Sequence, residues 1–204
     1  MAKARTPLER ILRVRTLQLG LVRAEEVATP PVGEPTFRHA YSVLTVRRTD
    51  GHWLRPWEAT IPHGAVSFDM RVSIRRLLQQ YRDGGGYPFV MEYDGEIAGQ
   101  LNVWGIARGS LSSATIGYWV SERFAGRGIT PTSVALATDL CFRELGLHRM
   151  EICIRPENTA SLRVVQKLGF RYEGLRRRFI HIAGDWRDHH AFALVREEVP
   201  EGVL

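Results

Sequence analysis

The sequence predicts one α/β domain built on a mixed β-sheet. Of its 204 residues, 44% are hydrophobic and 25% are charged, which is typical of a globular chain of one compact domain. Short apolar strands occur both as neighbours joined by tight turns and as neighbours separated by helices, so we expect antiparallel and parallel pairs in one sheet. We expect residues 1–15 to be a loosely ordered N-terminal extension with one helical turn around Leu8, Ile11 and Leu12, and residues 16–204 to form the domain.

The first half of the chain predicts one strand and two helices. Alternating leucines indicate a strand at 17–21, and the proline-rich stretch 29–35 is a loop. Apolar residues at helical spacing predict one helix at 37–44 and a second at 74–81, which ends at the three glycines that follow. Residues 53–58, with the sequence WLRPWE, are predicted to be an aromatic loop, because helical periodicity does not explain them.

The second half is richer in strands. Residues 89–93 and 97–103 flank Asp94-Gly95, a strong signal for a tight hairpin turn. The remaining elements, in chain order, are predicted to be a strand at 114–120, a helix at 130–144, a strand at 150–154, a helix at 159–168, a strand from residue 170 and a strand at 191–195.

Composition excludes several classes of protein. No apolar run reaches the length of about 20 residues that a membrane span needs, and the N-terminus lacks a secretory signal, so we expect a cytoplasmic protein. Cys141 and Cys153 have no CxxC spacing, which disfavours a disulfide framework and a zinc site. His181, His189 and His190 are poorly spaced for metal, and no metal is expected. The net charge of +6 favours an anionic partner such as a nucleotide cofactor or RNA.

The segment 118–130 carries the most informative motif. A strand ends there, an Arg-x-x-Gly-x-Gly loop follows from Arg123 through Gly126 and Gly128, and a helix begins. Glycines let main-chain N–H groups approach a ligand, and the start of a helix offers unpaired N–H groups with partial positive charge. Together these features suit a phosphate, to which Arg127 could add charge. On these residues alone, a simple tight turn is an equal alternative.

A second motif follows after the next strand. Asn158 is followed three residues later by Ser161, and residues 167–170 read Lys-Leu-Gly-Phe. With the glycine loop, in this order, the chain resembles the GCN5-related N-acetyltransferase (GNAT) superfamily over roughly residues 36–198. Further matches resemble its ribosomal-protein alanine N-acetyltransferase (RimJ/RimL-like) branch: Asn102-Val103, Arg108-Gly109, Ile116-Gly117-Tyr118-Trp119, Pro156-Glu157-Asn158, Glu173-Gly174 and Gly184-x-Trp186-Arg187-Asp188-His189.

The resemblance implies a fold, a cofactor and an activity. It implies a single GNAT-type domain with a mostly antiparallel sheet of about seven strands, splayed at the cofactor site and flanked by about four helices. It implies acetyl transfer from acetyl-CoA, by direct attack in a ternary complex, to a primary amine such as the α-amino group of a protein N-terminus. The implied cofactor contacts are Tyr118, Trp119, Val120, Arg123, Phe124, Ala125, Gly126, Arg127, Gly128, Ile129, Thr130, Asn158 and Ser161. The implied acceptor contacts are Trp53, Trp57, Glu58 and Asn102.

Catalytic roles are implied for Asn158 and Ser161, although Asn158 also suits a helix cap. Many superfamily members have a tyrosine acid where this chain has Val165, and a glutamate base where it has residues 114–116. No general base is identified; weak candidates are Glu92, Glu58 and Glu173. An α-amine has a pKa of about 8 against about 10.4 for lysine, so its neutral form is favoured by about 3 kcal/mol without a strong base.

Other features leave alternatives open. Arg47-Arg48 and residues 176–178 form basic runs that suit a solvated face, the cofactor's 3′-phosphate, RNA or an acidic substrate. Asp188 is expected to anchor a turn. The runner-up function is acetylation of a small amine, such as an antibiotic or polyamine; a non-catalytic, basic nucleic-acid-associated module is the alternative of another class. The expected partner is a protein or peptide N-terminus, with ribosomal proteins as one source. We expect no membrane, no direct nucleic-acid binding, and a monomer or homodimer.

Overall fold

Seven strands form one sheet in this protein, for which a computed structural model describes residues 12–16, 43, 45–62 and 79–203. The strands are β1 (Leu12–Thr16), β2 (Gly86–Tyr93), β3 (Glu96–Ala107), β4 (Ser113–Val120), β5 (Arg149–Ile154), β6 (Arg171–Ile182) and β7 (Asp185–Val195). Their order across the sheet is β1-β2-β3-β4-β5-β7-β6. Only β4 and β5 pair in parallel among these described strands. The predicted α/β class and the mixed, mostly antiparallel sheet are confirmed.

Three helices have bounds within the described residues. They are α1 (Gly51–Leu54), α2 (Ile129–Arg143) and α3 (Thr159–Lys167). Residues 45–49 and 79–82 are also helical, whereas most of the predicted helices at 37–44 and 74–81 lies outside the described residues. The predicted aromatic loop at 53–58 is wrong: its first residues complete α1, and Arg55–Trp57 form a 3-10 turn with a proline in its first turn. Helical turns of three or four residues are too short to show the apolar periodicity on which helix prediction depends.

The N-terminal prediction is corrected at one residue. Leu12 lies in β1, which pairs antiparallel with β2 from Leu12 opposite Tyr93 to Thr16 opposite Phe89. Leu12 is therefore not part of a helical turn, because its main chain belongs to a sheet ladder. The predicted boundary at residue 15 falls inside this strand. The predicted strand at 17–21 and the loop at 29–35 lie outside the described residues.

The predicted hairpin between β2 and β3 is confirmed. Asp94 and Gly95 have φ angles of 51° and 78°, the left-handed pair that a two-residue hairpin turn requires. A second hairpin, between β6 and β7, turns in the same way at Ala183 and Gly184. The sequence predicted only the end of β7, because most of its residues before Ala191 are polar.

Asp188 lies inside β7 and not in a turn, which corrects its predicted setting. One of its carboxylate oxygens accepts the main-chain N–H of Arg178 at 2.7 Å. Arg178 has a φ of 47° and lies where the pairing of β6 with β7 shifts register. Asp188 therefore stabilises a bulge across the hairpin, so its role is structural as expected.

The two faces of the sheet differ in chemistry. On β5, Met150, Ile152 and Ile154 point into the main core, where α2 packs on the sheet through Val134 and Cys141. Residues two apart on a strand point the same way, so the alternate residues lie on the opposite face. That face, which we call the charged face, carries Cys153 and the ion-paired side chains of Arg149, Glu151, Glu173 and Arg176. The core therefore lies on the α2 side of the sheet.

Two further observations concern the whole described part of the chain. None of the described helices has the length and apolar character needed to cross a membrane. Cys141 and Cys153 are both free thiols. Within the same residues, no three histidine, cysteine, aspartate or glutamate side chains are grouped as a metal site.

Candidate active site

The central feature of the site is a gap between β4 and β5. These parallel strands pair from Ser113–Arg149 to Thr115–Glu151 and no further, although β4 continues to Val120. The resulting splay opens into a cleft of about 480 Å³. It is lined by Trp53, Leu54, Trp57, Tyr118, Trp119, Val120, Phe124, Ala125, Gly126, Arg127, Gly128, Ile129, Thr130, Pro131, Glu157, Asn158, Thr159, Ala160, Ser161, Arg163, Val164 and Lys167.

The glycine loop forms one wall of the cleft with its main chain. Gly126 and Gly128 have φ angles of 75° and 79°, and Gly128 is the N-cap of α2 without any side-chain cap. No described residue accepts a hydrogen bond from the N–H groups of residues 126–130. Donors of this kind at a helix start suit an anion. The loop therefore fits a phosphate group better than a simple tight turn.

The base of this wall is apolar and anchors the loop. Phe124 is buried with Met91, Ala98 and Ile129. Arg123 precedes it but lies outside the cleft lining. Its guanidinium pairs with Glu96 at 2.6 Å and stacks over the Phe124 ring. Arg123 therefore differs from the other predicted cofactor residues, all of which line the cleft.

The start of α3 forms the opposite wall. Asn158 is its N-cap, and the side-chain oxygen Oδ1 accepts the main-chain N–H of Ser161 at 3.1 Å. The helix cap suggested for Asn158 is thus present, while its side chain also lines the cleft. The cap uses only the amide oxygen, so the amide NH₂ group keeps two donors for another partner.

A tyrosine crosses from β4 to α3 inside the splay. The Tyr118 hydroxyl donates a hydrogen bond to the main-chain carbonyl of Ser161 at 3.4 Å. Burial raises the pKa of Tyr118 above its ordinary value, so the phenol stays protonated at neutral pH. Val165, one turn after Ser161, is fully buried in the main core. The cleft thus contains a phenol that comes from β4 and not from α3.

Two tryptophans close the end of the cleft nearest α1. The Trp53 indole donates to the carbonyl of Val120 at 3.1 Å. Trp57 lies under the guanidinium of Arg155, 5.4 Å from its ring centroid, and Arg155 also donates to the carbonyl of Pro56 at 2.6 Å. These contacts connect the segment around α1 to the ends of both splayed strands. Both predicted acceptor tryptophans therefore line the cleft.

The other two predicted acceptor residues lie outside the lining. Glu58 pairs with Arg47 at 2.7 Å. Asn102 is on β3, where its side-chain oxygen accepts a hydrogen bond from Gln100 at 3.0 Å, and Trp119 in turn donates to Gln100 at 3.4 Å. Asn102 thus reaches the cleft only through a chain of hydrogen bonds.

None of the three candidate bases lines the cleft. Glu173 lies on the charged face, where hydrogen bonds from Arg149 lower its pKa to about 2, which makes it a poor proton acceptor. Glu92 is on β2, two strands away from β4. Glu157 is the acidic residue of the lining; it pairs with Arg155, and a backbone hydrogen bond lowers its pKa.

Two cations of the cleft lining were not predicted as site residues, although Lys167 begins the Lys-Leu-Gly-Phe motif of the sequence analysis. Arg163 and Lys167 are exposed, line the cleft from α3, and have no ion pair with any described acidic residue. They are four residues apart, so they lie on one helix face. Their spacing of four residues on the helix that begins after Asn158 was a signal that could have found them. With Arg127 they make the cleft mouth electropositive.

A family comparison identifies the architecture. The sequence model of the acetyltransferase (GNAT) domain matches residues 36–171, more than half of the chain. The chain belongs to the GNAT acetyltransferase family. The predicted resemblance is thereby confirmed, and the splay, the glycine loop and the start of α3 all lie within the matched region.

Three relatives of this GNAT chain are similar to it over half or more of its length. RimJ of Mycobacterium smegmatis, solved in complex with CoA-disulfide, is 38% identical, with a TM-score of 0.74 and 81% of each chain covered. Ribosomal protein uS5-alanine N-acetyltransferase of Escherichia coli is 24% identical over 168 residues, 81% of this chain and 87% of that protein. A Bacillus subtilis protein named "Probable N-acetyltransferase YjcK" is 38% identical over 105 residues, 52% of this chain and 58% of that protein.

Proposed function

We propose that this chain is an acetyl-CoA-dependent N-acetyltransferase that modifies a primary amine, most specifically the α-amino group of a protein N-terminus of the ribosomal-protein alanine type. The row of unpartnered N–H groups at residues 126–130, across the cleft from Asn158, is the observation that carries the proposal. It explains why the splayed strands, two positive-φ glycines and a capped helix occur together.

The residues present fit coenzyme A. Donors at residues 126–130 suit its pyrophosphate, and Arg127, Arg163 and Lys167 supply charge for its phosphates. Bound acetyl-CoA supplies an activated thioester. Strand β5 does not pair with β4 beyond Thr115. Main-chain groups of β4 near Tyr118 and Trp119 are therefore available for the pantetheine arm of the cofactor and for the carbonyl oxygen of its thioester. RimJ, the relative solved with CoA-disulfide, supports this assignment.

The acceptor is inferred from the described part of the cleft lining. Glu157 is the acidic residue among these described lining residues, and an arginine holds it. With no strong base among them, an acceptor must arrive largely neutral, which favours an α-amine over a lysine by about 3 kcal/mol. A polyamine would need carboxylates to hold its charges, so this alternative is disfavoured. The uS5-alanine N-acetyltransferase, which matches 81% of this chain, supports a protein N-terminus.

Asn158 and Ser161 are proposed to act at the thioester end. The hydrogen bond from the Ser161 N–H fixes the orientation of the Asn158 amide. This amide can donate a hydrogen bond to a carbonyl of the pantetheine arm or accept one from the incoming amine. Ser161, in the same lining, can orient water or donate a hydrogen bond to the departing thiol. The protein is proposed to work in the cytoplasm, as a monomer or homodimer.

A thiol-release assay tests the proposal. Purified protein with acetyl-CoA should release CoA thiol with a peptide that begins with alanine, and much less with the same peptide blocked at its α-amine but retaining lysine. Release with spermidine or an aminoglycoside alone would support the small-amine alternative. No release with any amine, together with salt-sensitive binding to nucleic acid, would support the non-catalytic module.

A further inference from the structure

We propose that the side-chain hydroxyl of Tyr118 donates a hydrogen bond to the sulfur of coenzyme A as the thiolate departs, which makes Tyr118 a catalytic residue. The inference rests on the proposed function and adds a side-chain role to a residue so far assigned only through its main chain. Three observations on the position, the partner and the surroundings of the hydroxyl carry it.

The first observation is position. Tyr118 lies three residues beyond Thr115, the last residue of β4 that pairs with β5, so it stands inside the splay. Its ring spans from β4 to the carbonyl of Ser161 on α3 and lines the cleft. An arm that enters from residues 126–130 and runs along β4 must therefore pass this phenol.

The second observation is the weakness of its present bond. The distance from the Tyr118 hydroxyl to the Ser161 carbonyl is 3.4 Å, whereas strong O–H···O bonds are about 2.7–2.8 Å long. A neutral carbonyl at that distance holds the hydroxyl hydrogen loosely, and the Ser161 side chain is the second hydrogen-bond partner of the phenol. An anionic sulfur is a better acceptor, since hydrogen bonds to charged groups are about twice as strong. The hydroxyl can therefore turn from the carbonyl to the thiolate.

The third observation is the neighbourhood on α3. Ser161 and Val165 are four residues apart and lie on the same face of the helix. Val165 is fully buried in the main core, so this position offers no polar group to the cleft. Tyr118 brings a phenol to the same part of α3 from the opposite wall. Tyr118 therefore provides the polar group that residue 165 does not.

The chemistry is hydrogen-bond donation without proton transfer. Attack by the neutral amine forms the C–N bond, and breakage of the C–S bond leaves its electron pair on sulfur. The proton lost by the amine nitrogen goes to solvent. Tyr118 keeps its own proton throughout, because burial disfavours its phenolate.

Titration of bound coenzyme A tests this without turnover. Free CoA is bound to the wild-type protein and to Tyr118→Phe, and the thiolate absorbance is followed against pH. We expect the pKa of the bound thiol to be about one unit lower in the wild type, because a hydrogen bond stabilises its charged form. Turnover of Tyr118→Phe should fall about tenfold with little change in KM for acetyl-CoA.

Two further variants complete the test. Tyr87→Phe is the matched control, because Tyr87 is half-buried against the same core, packs edge-to-face with Tyr81 and lies outside the cleft lining. The thiol pKa should not change in this variant. If Tyr118→Phe fails to fold, Tyr118→3-fluorotyrosine keeps the shape and makes the phenol a stronger donor, so the thiol pKa should fall below that of the wild type. Equal thiol pKa values in the wild type and the position-118 variant overturn this inference alone. A wild-type protein that binds no CoA overturns the proposed function as well.

Discussion

Two helices begin on opposite walls of one cleft, and their first turns are built differently. At the start of α2, the N-cap is Gly128 in the left-handed region, with no side-chain cap. At the start of α3, the N-cap is Asn158, whose side chain accepts the N–H of Ser161. Both are N-termini with the same partial positive charge. Only the second satisfies one of its donors within the chain.

The difference separates two tasks. An uncapped start keeps all its donors for an outside anion, at a cost in the stability of the free protein. A capped start is stable alone and holds one side chain in a fixed direction. We therefore assign the α2 start to cofactor binding and the α3 start to alignment at the reacting end. Substitutions at each start should change different quantities.

The largest effect is expected for Gly126→Val, which should weaken CoA binding at least about 100-fold, or about 2.7 kcal/mol. The φ of 75° is strained for valine, and a branched side chain would cover donors that face the ligand. Calorimetric titration with CoA measures the change.

Gly146→Val is the matched control. Gly146 also has a positive φ, 64°, and open space where a Cβ would lie, but it is outside the cleft. The Gly146→Val variant should lose about as much thermal stability as Gly126→Val and keep the CoA affinity of the wild type. Equal loss of affinity in the two variants would mean that the effect is global strain, and the assignment of the α2 start would fail.

Asn158 tests the other wall with two substitutions. Asn158→Ala removes the cap and should lower stability by about 1 kcal/mol and turnover by about tenfold. Asn158→Asp keeps an oxygen for the Ser161 N–H but loses the NH₂ donors, so stability should be preserved while turnover still falls. Thermal melts and steady-state kinetics measure the two effects. Full activity in Asn158→Asp would mean that Asn158 acts only as a helix cap and has no direct role in turnover.

More of the predicted cofactor residues than of the predicted acceptor residues line the cleft. Residues 126–130 all line it, and they were predicted because glycine spacing records main-chain geometry directly. Trp53 and Trp57 were also found, although as a loop. Their short helical turns are fixed by hydrogen bonds to Val120 and from Arg155, which lie far away in sequence.

Long-range pairing also explains why two predicted site residues, Arg123 and Glu173, lie outside the cleft lining. Arg123 matches the motif, but Glu96 on β3 holds its guanidinium outside the lining. Glu173 has the right chemistry for a base, yet its strand places it beside Arg149. In each case the sequence showed the motif or the residue type. The ion-pair partner, however, depends on the order of the strands in the sheet, which the spacing of residues along the chain does not reveal.

Ser161→Ala should have a smaller effect, with turnover about three- to tenfold lower and CoA affinity nearly unchanged. Its main-chain N–H and carbonyl stay in place for Asn158 and Tyr118, so only the hydroxyl is lost. Steady-state kinetics alongside calorimetry separate the two quantities. Unchanged turnover would remove the Ser161 hydroxyl from the mechanism and leave the residue as part of the cap.

The smallest effects are expected for the exposed cations that flank the α3 wall. Arg163→Gln and Lys167→Gln should each weaken CoA binding about two- to fivefold, because exposed charge pairs contribute about 0.2–1 kcal/mol. Added salt should weaken wild-type binding more than binding by either variant. Arg177→Gln is the control, since Arg177 is exposed and outside the cleft lining. If Arg177→Gln lowers affinity as much, the net charge of the protein attracts CoA in general. If only Arg163→Gln and Lys167→Gln lower the affinity, the α3 wall also contributes to cofactor binding. The difference between the two helix caps would then separate cofactor binding from alignment only in part.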